Sequence, residues 1–248
     1  MRIDILSIFP DMFAPLSQSI LKRARENDIL SIHVHNPRDF TTDKHKVVDD
    51  TPFGGGSGMI MKPEPIFAAL EHIRGIATEV SPHVVMMCPR GRTFNQAMAL
   101  NLAAKSHLVF ICGHYEGIDD RVRQHTVDEE ISIGDYVLTG GELPAMVVID
   151  AVARLLPGVL GAADAASGDS FYNGLLEYPH FTRPREFKGW EVPAVLLSGD
   201  HGKIERWRRK EALKITLLRR PDLLNDTELS KADLKLLNEI RTELEQGD

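Results

Sequence analysis

The chain has 248 residues, of which 43% are hydrophobic and 26% charged, and this composition excludes a wholly disordered chain and predicts one or two globular domains. No run approaches the roughly 18 consecutive apolar residues of a membrane span, and the first residues lack the apolar core of a signal peptide, so we expect a cytoplasmic protein with no membrane partner. The net charge of −7 argues against general, non-specific affinity for nucleic acid.

The first 62 residues begin with alternating strand and helix patterns. A strand is predicted over residues 2–9, a helix over 11–27 with Asp11 as its N-cap, and a second strand over 29–35. Residues 37–62 have no regular period and contain the sequence GGGSG, so they predict a long loop of the kind that commonly carries function.

The alternation of helices and strands continues through the middle of the chain. The predicted elements are a helix over 63–78, a strand over 83–88, a helix over 95–105, a strand over 108–112, a short helix over 117–124, a strand over 126–133 and a helix from 142 to about 156. Strands that alternate with helices at this spacing predict an α/β domain with a mostly parallel sheet.

The C-terminal third differs in composition. Residues 157–172 are rich in Gly, Ala and small polar side chains, which is typical of an interdomain linker or a mobile lid, and helical periods at 200–218 and 230–246 predict a smaller, mainly helical domain. Residues 183–220 contain eleven Lys and Arg against five Asp and Glu, whereas 221–248 contain three against eight. A local basic stretch can hold an anionic partner, and a solvated helix face is the alternative interpretation.

Three glycine-containing loops follow predicted strands, at residues 89–92, 113–117 and 134–141. Ligands of open α/β sheets bind beyond the carboxyl ends of the strands, and glycine allows the backbone to approach them closely. The three loops therefore favour a nucleotide-like ligand, with ordinary tight turns as the alternative.

The common active-site motifs are absent from the sequence. No P-loop, no dinucleotide-binding GxGxxG after a strand, no GxSxG nucleophile motif and no zinc-binding spacing occurs. Cys88 and Cys112 each end an apolar run, which favours buried, reduced thiols.

Four segments carry a resemblance to a known family: VDDTPFGGGSGM at 48–59, CGHYEGID at 112–119, SIGDYVLTGGE at 132–142 and YPHFTRP at 178–184. They resemble the bacterial TrmD type of tRNA (guanine-37-N1)-methyltransferase, and the likeness extends over nearly the whole chain. It implies a SPOUT-class enzyme, with an α/β fold, a mostly parallel sheet, a deep trefoil knot and a smaller, mainly helical C-terminal domain. The implied cofactor is S-adenosyl-L-methionine, and the implied partners are the tRNA anticodon stem-loop and a second copy of the chain in a homodimer. The domains would be a knotted cofactor-binding domain over 1–160, a flexible linker over 161–172 and a helical tRNA-binding domain over 173–248.

The resemblance places the cofactor in the three strand-end loops. The implied cofactor-binding residues are Pro89, Gly113, Glu116, Ile133, Gly134, Asp135, Tyr136, Val137, Leu138, Gly140, Gly141 and Pro144. The sequence departs from the usual family strings beside this set. It has Cys88-Pro89-Arg90-Gly91 for Ser-Pro-Gln-Gly, Phe53 for Tyr and His114 for Arg, which leaves the local contacts there open.

The resemblance also implies roles in catalysis. Methyl transfer to guanine N1 requires a base for the N1 proton and a cation for the charge that moves toward O6. Asp169 would be the general base and Arg154 its electrostatic partner. A divalent ion such as magnesium is left open, and the sequence contains no cluster of metal ligands, so no metal site is assigned.

RNA contacts are expected mainly in the basic stretch. The candidates for phosphate binding are Arg183, Arg206, Arg208 and Arg209, with Trp207 as either a stacking surface or a core residue. Asp50, in the glycine-rich loop, could accept hydrogen bonds from a guanine edge.

Three other functions compete with this one. They are a SPOUT methyltransferase for another RNA nucleotide, a non-catalytic RNA-binding module on a knotted scaffold, and a nucleotide-binding metabolic enzyme without an RNA partner. The last leaves the basic stretch and the carboxylate at 169 unexplained.

Overall fold

The computed structural model describes residues 1–77, 80–161 and 166–246. The chain divides into two compact units, Met1–Ala163 and Asp164–Asp248. No helix in the described ranges is long and apolar enough to cross a membrane.

The first unit is an α/β structure. Its strands are β1 (Arg2–Leu6), β2 (Ser31–His35), β3 (Asp49–Asp50), β4 (Ile60–Met61), β5 (His83–Thr93), β6 (His107–Cys112) and β7 (Glu129–Ser132). Its α-helices are α1 (Ser19–Glu26), α2 (Pro63–Ile76), α3 (Gln96–Ala103), α4 (Asp120–Thr126) and α5 (Glu142–Ala153). Five strands form one parallel sheet in the order β2-β1-β6-β5-β7, and β3 and β4 form a separate antiparallel ribbon. The predicted α/β class with a mostly parallel sheet is confirmed.

Apolar side chains cover both faces of the sheet. Along β6, Leu108 and Phe110 belong to one buried cluster, while Val109 and Ile111 belong to another on the opposite face. A strand buried on both sides has a continuous apolar sequence, which is why this strand was predictable from its composition.

The N-terminal helix prediction was wrong in part. Residues Pro10–Ser17 form a 3-10 helix, and the α-helix begins only at Ser19. Pro15 lies inside the 3-10 segment and has no N–H to donate, so one continuous α-helix over 11–27 cannot form. Asp11 is consequently no N-cap of an α-helix. The first strand also ends at Leu6, three residues earlier than predicted.

The predicted loop over 37–62 contains regular structure. Pro37–Phe40 is a 3-10 helix, and β3 pairs with β4 through Asp49 with Met61 and Asp50 with Ile60. Two-residue strands are too short to show a period in the sequence.

Strand β5 runs through the segment that was predicted to be its following loop. Ile131 of β7 is paired with both Met87 and Arg92, so residues 88–91 bulge out of the ladder. A Cβ on Gly91 would lie 2.5 Å from the Glu130 carbonyl carbon, so only glycine fits here without displacing backbone.

The second unit contains α6 (His201–Arg219), α7 (Leu223–Asp226) and α8 (Lys231–Gln246), and the first and last of these match the predicted helices. A short antiparallel hairpin of β8 (Glu186–Phe187) and β9 (Trp190–Glu191) and a 3-10 turn, Ala194–Leu197, precede them. The core of the unit consists of Leu175, Leu213, Leu236, Leu237 and Ile240.

The predicted linker over 157–172 is only partly described. Val159 is buried in the core of the first unit, so the linker cannot begin as early as 157. Residues 162–165 lie outside the described ranges, and 166–174 form a series of turns.

Candidate active site

A cleft of about 750 Å³ lies at the carboxyl ends of β5, β6 and β7. Its walls come from the bulge of β5, the loop after β6, the loop after β7, and Pro144 in the first turn of α5. Pro52, Phe53 and Ile60, from the ribbon segment, complete its mouth. The parallel sheet brings these segments together because all its strands end at the same edge.

The structure brings together most of the residues predicted for cofactor binding. Those that line the cleft are Pro89, Gly113, Glu116, Ile133, Gly134, Tyr136, Val137, Leu138, Gly140, Gly141 and Pro144. Asp135 is outside this lining. The residues that depart from the usual family strings, Phe53, Cys88, Arg90 and His114, all line the cleft.

The loops after β6 and β7 are in direct backbone contact. The Gly141 amide donates to the Gly113 carbonyl over 2.8 Å. A Cβ on Gly141 would lie 2.7 Å from the Cα of Cys112 and 3.0 Å from the amide nitrogen of Gly113. Both contacts are with backbone, so a larger residue at 141 must displace one of the cleft walls.

Glu142 is a buried carboxyl group behind the cleft that sequence reasoning missed. It is only 1% exposed and accepts a 2.6 Å hydrogen bond from the Ser7 hydroxyl. A Cβ on Gly140 would lie 2.3 Å from Glu142 Oε2 and 2.8 Å from His114 Nδ1, so both atoms border the space that a side chain at 140 would occupy. The charge of Glu142 adds to burial in raising the pKa of the Cys112 thiol. An acid at a helix N-terminus is ordinarily a surface residue stabilised by the helix dipole, so burial of Glu142 was not predictable from the sequence.

Backbone hydrogen bonds connect the end of the glycine-rich loop to the loop after β6, which lines the cleft. Glu116 donates its amide to the Met59 carbonyl (3.0 Å), and Met61 donates to the Gly117 carbonyl (2.9 Å). Phe53 is fully exposed at the head of this loop, before four glycines with positive φ. Asp50 lies exposed on β3, where its carboxylate accepts from the Thr51 amide (2.8 Å), and it is outside the lining of the cleft.

Ion pairs form the rim of the cleft. Arg123 and Gln124 donate to Asp120 and hold the pKa of that carboxyl at about 2, and Arg121 donates to Asp119 (2.8 Å). Asp119, Asp120 and Arg123 also line the cleft. Among the described residues, no group of three or more His, Cys, Asp or Glu side chains is arranged to hold a metal ion.

The two predicted catalytic residues lie in different units. Arg154 is the half-buried C-cap of α5 in the first unit. Asp169 is half-buried among the turns of the second unit, where its carbonyl accepts from the Tyr172 amide.

Three of the four arginines predicted to bind phosphate are engaged within the second unit. Arg209 makes a two-pronged contact with Asp233 (2.7 and 3.0 Å) and holds the pKa of that carboxyl at about 2 against the opposing effect of burial. Arg206 pairs with Glu239 (2.7 Å).

Arg208 pairs with Glu205 at 2.8 Å and lies over the Tyr178 ring. Arg183 is exposed, and Trp207 is half-buried beside Phe181. The positive charges of the basic stretch are therefore neutralised by acids of the same unit to a greater extent than the sequence predicted.

Comparison with known proteins gives a consistent result. The family model described as tRNA (Guanine-1)-methyltransferase TrmD matches residues 1–226. A protein of Desulforamulus reducens named tRNA (guanine-N(1)-)-methyltransferase is 60% identical over 97% of this chain and 95% of its own length. Proteins of the same name from Dehalococcoides mccartyi and Brevibacillus brevis are 57% and 58% identical, each over 98% of this chain and at least 98% of their own lengths. The chain belongs to the TrmD family of tRNA (guanine-1)-methyltransferases.

Proposed function

We propose that this methyltransferase transfers a methyl group from S-adenosyl-L-methionine to N1 of guanosine 37 in tRNA, next to the anticodon. The observation that carries the proposal is the single cleft that the three strand-end loops form in a member of this family. Its relatives' name supplies the tRNA and the guanine N1.

The cleft has the properties that this cofactor requires. Its volume of about 750 Å³ is within the usual range for small-molecule sites. Tyr136, Val137 and Leu138 offer apolar surface, and Gly113 and Gly140 leave backbone groups accessible at its wall. When bound there, S-adenosyl-L-methionine would supply an electrophilic methyl group on its sulfonium. The deep trefoil knot that we propose for the cofactor-binding domain, residues 1–160, rests on membership of the TrmD family.

Two side chains would act on the guanine base. Asp169 takes the N1 proton, which makes N1 a competent nucleophile, and Arg154 stabilises the negative charge that moves toward O6. A general base whose position depends on the bound RNA would make catalysis depend on the correct substrate.

The proposed assembly is a homodimer that binds the anticodon stem-loop through residues 173–248 and works in the cytoplasm, where its tRNA is. Helix α5 leaves Leu143 and Val147 about half exposed, at 48% and 49%, and this apolar surface supports association of two copies.

The test uses methyl-labelled S-adenosyl-L-methionine and two unmodified tRNA transcripts that carry G or A at position 37. Label is expected only in the G37 transcript. Asp169→Ala should abolish labelling while calorimetry shows unchanged cofactor binding, and Asp226→Ala, at an exposed acid of the same unit, should retain it. Label in neither transcript, or equal label in both, overturns the proposed position. Label confined to another nucleotide indicates a different RNA methyltransferase.

A further inference from the structure

The β8–β9 hairpin has two chemically different faces. Its strands are joined by Lys188 and Gly189, both with positive φ (55° and 82°), as in the tight two-residue turns that match strand twist. Glu186 is paired with Glu191 and Phe187 with Trp190. Because paired residues point to the same side of a ribbon, one face is acidic and the other aromatic.

The aromatic face is open to solvent. Phe187 is 57% exposed and Trp190 71%, with ring centroids 6.2 Å apart and the Lys188 ammonium 5.4 Å from the Phe187 centroid. Neither ring joins the buried cluster of the second unit. Two exposed large rings forgo the stabilisation that burial would give them, so folding of this unit does not account for them.

Cations flank this face without carboxylate partners. Arg183 and Arg185 are exposed, and neither forms an ion pair with any residue that the structure describes. Arg206 and Arg209 of α6 differ, because Glu239 and Asp233 of α8 neutralise them. Arg183 and Arg185 therefore place positive charge that no described carboxylate neutralises directly before the first strand of the hairpin.

We propose that the aromatic face of the hairpin binds single-stranded RNA of the substrate, with Trp190 stacked on an unpaired base and Arg183 and Arg185 on the adjacent phosphates. The inference rests on the proposed function and names the RNA-contacting element within it. Aromatic side chains beside unneutralised cations are the combination that binds single strands, since every base has a π-face and every linkage a negative charge. The acidic pair Glu186 and Glu191 lies on the opposite face, away from the phosphates.

Tryptophan fluorescence tests the stacking directly. The chain has two tryptophans, so Trp207→Phe leaves Trp190 as the only reporter. Titration with an anticodon stem-loop is expected to quench its emission saturably, and an equal amount of duplex RNA without a loop should not.

Binding of the stem-loop by fluorescence anisotropy gives the energetic test. Trp190→Ala should weaken binding by about tenfold or more, as expected for loss of one stacked base, while Trp190→Phe retains most of the affinity. Glu186→Gln, on the opposite face, should cause no loss. The double variant Arg183→Ala/Arg185→Ala should lower the slope of log K against log salt by about 0.7 for each phosphate contact removed. An unchanged far-UV circular dichroism spectrum and unchanged thermal unfolding show that each variant is folded.

Three results would overturn the inference: wild-type affinity in Trp190→Ala, absence of quenching, or a change in sedimentation coefficient on Trp190→Ala, since the hairpin would then cover a protein interface. The experiments distinguish failure of this inference from failure of the proposed function. Methylated G37 with an unaffected Trp190→Ala rejects only the hairpin site, whereas quenching by a stem-loop that is never methylated rejects only the proposed reaction.

Discussion

Asp4 is a charged residue inside the parallel sheet, on the strand between β2 and β6. It is fully buried in β1 and accepts hydrogen bonds from Arg2 and His35 at 2.6 Å and from His107 at 2.7 Å. Burial alone would raise the pKa of this carboxyl, but the three donors outweigh it and hold the pKa well below its usual range. His35 lies on β2 and His107 on β6, so one carboxylate connects three neighbouring strands.

Replacing Asp4 by Asn should therefore be costly. The change leaves three donors around a neutral amide, and we expect the free energy of unfolding to fall by about 3 kcal/mol in urea denaturation at neutral pH. The same replacement at Asp39, whose ion pair with Lys46 is exposed, should cost less than about 1 kcal/mol.

The effect of Asp4 should also depend on pH. A carboxyl whose pKa is lowered by folding stabilises the protein fully above its unfolded pKa of about 3.9, and this stabilisation is lost as the pH falls toward the folded value. The unfolding free energies of the wild type and Asp4→Asn should thus converge on acidification. A difference that stays constant from pH 7 to pH 3 would contradict the role assigned to the carboxylate.

Gly141 tests whether the cleft depends on its close backbone contacts. A methyl group at 141 meets Cys112 and Gly113 backbone, so Gly141→Ala should lower stability by about 2 kcal/mol and reduce cofactor affinity at least tenfold in calorimetry. Gly75 in α2 is the matched control, because no atom lies within 4 Å of an added Cβ. Gly75→Ala should raise stability by about 0.5–1 kcal/mol and leave cofactor affinity unchanged. Equal behaviour of the two variants would show that the contact at 141 is unimportant.

Among the helices and strands, those with a long periodic pattern of buried side chains were predicted best from the sequence. Strand β6 and helix α3 were predicted almost to the residue, because each carries several buried side chains at a regular period. The β8–β9 hairpin was missed, since two residues a strand show no period and its turn is Lys-Gly instead of the usual Asn-Gly. Pro15 is visible in the sequence, and because proline disfavours a continuous α-helix, it already argues against the predicted helix over 11–27.

Helices α6 and α8 are connected by the ion pair of Arg209 and Asp233. Arg209→Ala should destabilise the second unit by about 1–2 kcal/mol, because it leaves a mostly buried carboxylate with only its Ser230 contacts. Arg220→Ala, which breaks an exposed pair with Asp222, should leave thermal unfolding unchanged.

Acidification should remove the same stabilisation. The pKa of Asp233 is lowered to about 2, so the pair stabilises the unit above about pH 4 and loses this effect as the pH falls toward 2. If the two arginine variants melt alike, Arg209 is instead available for RNA, as the sequence alone suggested.

For the whole molecule, the position of the cleft was predictable because parallel strands end at one edge, and the glycine loops that follow them had to meet there. The ion pairs that neutralise the basic residues of the second unit were not predictable from the sequence. Arg206 and Arg209 pair with acids 33 and 24 residues later in the chain, and such distant partners depend on how α8 packs against α6. The buried position of Glu142 depends in the same way on Ser7, 135 residues earlier.

Complementation tests whether one site draws on two protomers. We expect Asp169 to act on the cofactor cleft of the partner subunit. Asp169→Ala homodimers, and Gly141→Ala homodimers assayed at a cofactor concentration well below the dissociation constant, should both have about a tenth of the wild-type activity or less. A mixed dimer, purified by two different affinity tags, then contains one site with both defects and one with neither. It should recover about half of the wild-type activity per protomer, since a twofold dimer has two equivalent sites. If the mixed dimer is as inactive as its parents, each protomer uses its own Asp169, and the arrangement in trans is wrong.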